Sequence, residues 1–334
     1  MSAEWKRRRE GGGRLAVRLI LAVAKGGGRG FARLVLVPIT LYFLLRRPAE
    51  RRDSRAYLSR VFGRPARLHE VARHIHTFAS TILDRSFLLS EHFQRFDVQV
   101  HDIEKLQQRV EDGHGVLLFG SHLGSFESLR VLARQRPDYK IRVVLDKAHS
   151  AAVTQLLDEL NPEMAATVID AGQPGPAIML QIQQALSEGA IVALLVDRAQ
   201  PGGAVVRVPF LGDPAGFPLA PWQIAAVVKV PVVLAFGLYR GGNRYDLLFE
   251  SFSDGIDLPR RERAAAIPAL IRRYAARLEH HVRDAPWNWF NFYDFWKDDD
   301  AGSDPESTQA GDPRRDNAGV PVGPGVGDGT GGQG

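Results

Sequence analysis

The sequence predicts an α/β domain: one mostly parallel mixed sheet flanked by helices. Three observations carry that prediction. Four short apolar runs, GVLLFG (115–120), IRVVLD (141–146), ATVIDA (166–171) and AIVALLVD (190–197), are too short for helices. They also show no in–out alternation, as expected of strands buried on both faces. Stretches of helical period separate them: SFESLRVLARQ (125–135), AVTQLLDEL (152–160) and AIMLQIQQALSEG (177–189). Finally, no Pro/Gly/Ser linker interrupts residues 49–300, so the alternation belongs to one domain. Strands alternating with helices in this way build a parallel sheet.

The remaining elements follow in order. LHEVARHIHTFASTILDRSFLLS (68–90) has helical spacing and precedes the first strand. PVVLAFGLYR (231–240) and YDLLFESF (245–252) read as two further strands, and 261–283 as a long closing helix. Residues 1–48 form a basic, apolar N-terminal segment, and 301–334 form a tail almost without large apolar residues. That tail cannot bury enough surface to offset its ordering entropy and is expected to be disordered.

The net charge is +5, but residues 1–60 alone hold 15 Lys/Arg against 4 Asp/Glu, leaving the rest of the chain net negative. Positive charge gathered at one end and interleaved with apolar residues points to an anionic membrane surface and away from nucleic acid. The longest uncharged run there, Leu34 to Leu45, has 12 residues, whereas a spanning helix needs about 20. Arg29, Arg33, Arg46, Arg47, Arg51 and Arg52 flank the apolar run. That pattern suits a helix lying in the cytoplasmic membrane interface, with a buried soluble helix and a marginal spanning anchor as the alternatives. The chain has no cysteine, which excludes disulfides, thiolate nucleophiles and cysteine-ligated zinc.

The motif that carries chemistry is GSHLGSFESL (120–129), at the carboxyl end of a predicted strand, where α/β sheets place their sites. His122 and Glu127 are five apart, so within one helix they would point about 140° from each other. They can meet only if His122 sits in the turn before the helix, with Gly120 and Gly124 allowing that turn. A neutral imidazole held by a carboxylate takes a proton from a hydroxyl, and the substrate's own alcohol can then attack. Ser125 lacks the G-x-S-x-G setting of a hydrolase nucleophile. The other histidines offer no metal set: His74 and His76 face different sides of a helix, and His280 and His281 are adjacent without a third ligand.

SHLGSFE, with VDR at 196–198 and VRVPFLGDPAGFPLAPWQIAAVVKVPVVLAF at 206–236, resembles the late, lauroyl/myristoyl acyltransferases of lipid A biosynthesis. The resemblance covers roughly residues 15–300. It implies a single glycerolipid-acyltransferase-like domain at the cytoplasmic face of a bacterial inner membrane. The implied reaction moves a fatty acyl chain from acyl carrier protein or coenzyme A to a hydroxyl of a lipid or glycolipid, with no metal and no cofactor. On this resemblance His122 is the general base and Glu127 its orienting partner. Asp197 and Arg198 match the family's acidic–polar block. Arg198 then holds a phosphate of the donor or steadies the thioester oxyanion; the plain alternative is an ion pair between neighbours. Lys147, ending another strand with Asp146, is either a cation of the site or a solvated strand-end charge. Phe210, Gly212 and Pro218 shape a loop over the acyl groove.

One departure stands out. The aromatic run WNWFNFYDFWK ends in Asp298, Asp299 and Asp300, where lipid A acyltransferases carry a basic cluster. In this the chain is similar to a branch found beside aryl polyene and related pigment-lipid pathways. The aromatics line an acyl channel, sit at the bilayer interface, or simply close the core. Two other functions remain open from sequence: a non-catalytic membrane-binding adaptor with this fold, and a glycerophospholipid acyltransferase.

Overall fold

The run GVLLFG forms β2 (Val116–Gly120), the buried centre of the sheet. Its residues alternate between two separate apolar clusters: Leu117 and Phe119 enter one, Val116 and Leu118 the other. Burial on both faces is why the run shows no polar alternation. The structure, a computed structural model, describes residues 14–88, 94–129, 136, 138–148, 154, 165–200 and 202–297. Residues Met1–Lys297 form one unit; the tail from Asp298, including the expected disorder of 301–334, lies outside the described residues.

The elements are α1 (Arg14–Arg46), α2 (Pro48–Phe62), α3 (Leu68–Leu88), β1 (Asp97–His101), α4 (Glu104–Glu111), β2, a single tight helical turn (Phe126–Leu129), β3 (Ile141–Leu145), β4 (Ile169–Asp170), α5 (Gly175–Ser187), β5 (Ile191–Leu195), β6 (Val205–Phe210), β7 (Asp213–Pro218), α6 (Ala220–Val228), β8 (Val232–Gly241), β9 (Arg244–Ser253) and α7 (Arg263–Asp284). The main sheet runs β1-β9-β8-β2-β5-β3-β4. β8, β2, β5, β3 and β4 are mutually parallel, while β9 pairs antiparallel to β8 and carries β1 parallel to itself. The predicted architecture is therefore present, with two reversed strands at one edge.

Helices α5, α6 and α7 cover one face through residues such as Ile182, Trp222 and Tyr274, and α4 covers the other through Leu106. The run at 166–171 keeps only two paired residues. Of the helix expected at 125–135 only the turn Phe126–Leu129 is described, and the one at 152–160 falls almost wholly outside the described residues.

The segment 205–218, which holds three prolines, folds as a two-stranded hairpin apart from the main sheet. Pro209 faces Pro214 across it, a pairing a two-stranded ribbon tolerates where a central strand would not. Leu211 and Gly212 both have positive φ (52° and 95°), the backbone a tight two-residue hairpin turn requires.

At the other end of the chain, α1 is integrated into the domain. Ala32 and Leu36 are buried against Leu83 and Phe87 of α3. Arg29 forms a two-bonded ion pair with the buried Asp84, both bonds 2.7 Å, and Arg33 donates to Tyr239 and to the carbonyl of Gly242. These two cations, expected at lipid headgroups, instead pin α1 to α3 and the β8–β9 turn: Arg29 because the buried Asp84 carboxylate needs a charged partner, Arg33 through neutral oxygens. Among the described residues no helix is long and apolar enough to cross a membrane.

Candidate active site

The site follows from strand register. β2 and β5 are parallel neighbours with Gly120 opposite Leu195, and the Val196 amide donates to the Gly120 carbonyl as the last rung. Two residues beyond that registered pair stand His122 on one strand end and Asp197 on the other. The His122 amide donates to Asp197 Oδ2 at 3.0 Å, and Nδ1 lies 2.8 Å from Oδ1. A carboxylate can only accept here, so Nδ1 carries the proton and Nε2 keeps its lone pair.

Asp197 is fully buried, and a third donor, Trp289 Nε1, reaches its Oδ2 at 3.1 Å. Burial pushes its pKa up, but the contact with His122, the Arg198 charge and the Trp289 bond together hold it well below the usual carboxylate range. The His122 ring is about a third exposed. Its pKa is lowered, by burial first and by the Arg198 charge second, against the opposing pull of Asp197; the Arg85 charge adds to the lowering. The imidazole is therefore neutral near pH 7 and able to accept a proton.

The turn after His122 is held by close backbone contact. Gly124 has φ +78°, and a Cβ placed on it would lie 1.9 Å from the Gly237 carbonyl oxygen. A Cβ on Gly237 would in turn lie 2.2 Å from the Ser125 carbonyl oxygen, so neither position admits a side chain. Ser125 N–H donates to the Gly237 carbonyl at 2.7 Å and Gly124 N–H to the Asn288 carbonyl at 2.7 Å. Phe290 N–H donates to the His122 carbonyl at 3.1 Å. The motif is thus clamped between β8 and a strap at 286–290.

That strap is itself fixed from behind. Asn288 accepts from Tyr239 N–H and donates to Tyr239 O. Tyr57 donates to the Pro286 carbonyl, and the buried His74 donates through Nε2 to the Trp289 carbonyl while Nδ1 accepts from Ser54 Oγ. His74 is pushed down to about 4 by burial, with the bond to Trp289 opposing, and is neutral.

The other candidates separate. Glu127 accepts from Ser125 Oγ at 3.0 Å through Oε2 and pairs with Arg85 Nε at 2.6 Å through Oε1. The carboxylate bonded to the His122 ring is that of Asp197: the loop brings Glu127 round to α3, while strand register delivers Asp197. Arg198 donates to the Phe290 carbonyl at 2.5 Å, its guanidinium lies over the Tyr293 ring, and its Nε is 4.0 Å from Asp197. Lys147 follows β3, two strands from β2, and its backbone N–H bonds Asp170. Phe210 is fully buried among Phe217, Trp289, Phe295 and Trp296, and Gly212 forms the hairpin turn. Phe210 thus belongs to the core behind the site, whereas Gly212 is exposed at the tip of the hairpin. Residues missed from sequence are Trp289, Arg85, Gly237 and His74. The one available signal was that a buried indole N–H needs an acceptor. Among the described residues no three His, Asp or Glu side chains gather as a metal set.

The family model for bacterial lipid A biosynthesis acyltransferases matches residues 30–298. The chain belongs to that family. The match begins within α1, takes in every strand and closes just after Trp296. The lipid A acyltransferase family transfers acyl groups to lipid acceptors and is membrane-associated in bacteria. No curated protein matches the chain.

Proposed function

We propose that this acyltransferase moves a fatty acyl chain from a thioester donor, on acyl carrier protein or coenzyme A, to a hydroxyl of a lipid or glycolipid, with His122 as general base. The observation that carries the reading is the His122–Asp197 pair, a neutral ring with one nitrogen bonded to a buried carboxylate and the other without a partner among the described residues. Nε2 removes the acceptor's hydroxyl proton, and the oxygen attacks the thioester carbonyl. Asp197 stabilises the imidazolium that forms. The tetrahedral oxyanion collapses, the C–S bond breaks, and the imidazolium returns its proton to the leaving thiolate. An ester and a free thiol result.

The acceptor reaches this site from a membrane surface. Phe31, Leu34, Val37, Leu41, Tyr42 and Leu45 lie exposed along the outer side of α1, an apolar stripe uncovered among the described residues on a helix whose other side packs on α3. Such a stripe supports interfacial docking, with the acyl donor arriving from the cytoplasmic side of a bacterial inner membrane. The assembled base and its carboxylate favour an enzyme over a non-catalytic adaptor.

The test is lipid mass spectrometry on cells lacking the protein, complemented with wild type or with His122→Ala. An acylated lipid restored by wild type alone supports the reading and identifies acceptor and chain length. Equal rescue by both would overturn it.

A further inference from the structure

We propose that the groove between α6 and the start of α7 is a second ligand site, separate from the catalytic one, which takes the anion of a long-chain fatty acid. The proposal does not rest on the acyl-transfer reading; it stands on the groove's walls, its charge and its place in the sheet.

A cavity of about 520 Å³ opens here, within the range of about 300–1,000 Å³ that small-molecule sites occupy. Val206 of β6, Leu219 and Val227 from either end of α6, and Ile267 of α7 supply an apolar wall. Val227 remains 43% exposed, so part of that wall lies open to solvent. Arg260 and Arg263 line the same cavity, three residues apart, and no Asp or Glu lines it.

The protein itself does not neutralise these two cations. The nearby carboxylates are each paired elsewhere: Asp254 with Arg109, Asp257 with Lys229 at 2.6 Å, and Glu262 with Arg261 at 3.5 Å. Arg260 is exposed and has no ion-pair or hydrogen-bond partner among the described residues. Arg263 is held at Nε by the Leu258 carbonyl at 3.1 Å, and its two outer nitrogens have no partner among those residues. The first turn of α7 holds no acidic residue and Glu262 makes no side-chain cap, so the positive end of that helix adds to the two charges. An apolar trough with spare guanidinium N–H pairs matches a planar carboxylate on an alkyl chain. A neutral chain would leave the cations unused, and an inorganic anion would leave the apolar wall bare.

The sheet separates this groove from the imidazole. β8 begins at Val232, beside Leu117 near the start of β2, and β9 ends at Ser253 opposite Val232. The Lys229–Asp257 pair joins the segments that follow α6 and β9 at that edge, just before Arg260. His122 follows the other end of β2. The cationic end of the groove and the catalytic base therefore lie at opposite edges of the sheet.

The test uses the full chain in phosphatidylcholine nanodiscs. A diazirine-bearing hexadecanoate is photoactivated, and the modified peptides are mapped by mass spectrometry. Label should enter residues 219–227 and 260–268, and His122→Ala should leave it there undiminished. Arg260→Gln should cut that label about tenfold, as expected when a carboxylate loses a charged hydrogen-bond partner. Ala264→Trp, at an exposed lining position, should abolish it by filling the cavity. The matching diazirine-bearing alcohol has the chain without the charge and should label these peptides about tenfold less.

Label confined to α1 or to the peptides around His122 and Trp289 would overturn the proposal. So would equal labelling by acid and alcohol, or equal labelling of wild type and Arg260→Gln by the acid. Loss of the label in His122→Ala would also overturn it, by making the groove part of the catalytic site. Label in the groove together with equal cellular rescue by His122→Ala would sink the transferase mechanism and leave this site standing.

Discussion

His122 and His74 are linked through Trp289, and their surroundings differ in one respect that separates chemistry from support. Trp289 reaches Asp197, the partner of His122, through its indole nitrogen, and accepts from His74 through its carbonyl. Both rings are neutral and both have a lowered pKa. His74 has Ser54 at one nitrogen and a carbonyl at the other, so it has no atom left to react. His122 has an ionised carboxylate at one nitrogen and, among the described residues, no partner at the other. A buried histidine becomes a base when its charged form has been provided for and one nitrogen is left open.

The comparison breaks most sharply by substitution. His122→Ala should lower acyl transfer by about 10³-fold or more, measured by single-turnover assay, since general-base catalysis contributes about 10²–10⁴. Asp197→Asn should lower kcat by about 10²–10⁴, because the wrong tautomer is then favoured. Its effect on KM should be small, and a loss confined to KM would show that Asp197 binds substrate instead. His74→Ala should do the opposite of both, costing about 2–4 kcal/mol of stability through a cavity and two orphaned polar groups, with a normal pH–rate profile.

The acid side sharpens the contrast. Folding lowers the His74 pKa from 6.5 to about 4, so the unfolded chain binds more protons between those values. Stability should therefore fall as the pH drops from 6.5 towards 4, and His74→Gln should flatten that part of the curve in pH-dependent denaturant melts. Activity should persist below pH 6.5 before failing, because the His122 pKa is lowered and its base form survives. The smallest expected change is in Trp289→Phe: with one donor to Asp197 gone, the carboxylate binds the imidazolium more strongly, and the acid limb of kcat should move to higher pH by a few tenths of a unit.

Much of this was legible in the sequence. The fully apolar runs located β2 and β5 within a residue or two, because a strand buried on both sides has no other composition to adopt. The alternation of runs made the sheet parallel, and the strand-end rule put GSHLGSFE at its carboxyl edge. Glu127 as the ring's partner was an inference from nearness in sequence. Asp197 lies 75 residues further along and becomes a neighbour only through the β2–β5 register, which no local pattern encodes. The hairpin of β6 and β7 was hidden by prolines that its detached position makes harmless. Arg29 and Arg33 looked like headgroup ligands because the sequence does not say that Asp84 is buried beneath them.

The strap at 286–290 has a consequence for how the protein comes to life. His122 is made early, Asp197 later, and the indole and amide that lock them come last, from Trp289 and Phe290. A chain still emerging from the ribosome has its sheet centre but an unclamped base, and the reacting groups come into alignment only once the carboxyl-terminal aromatics have been synthesised and docked. Activity should therefore switch on only when almost the whole matched domain has been made.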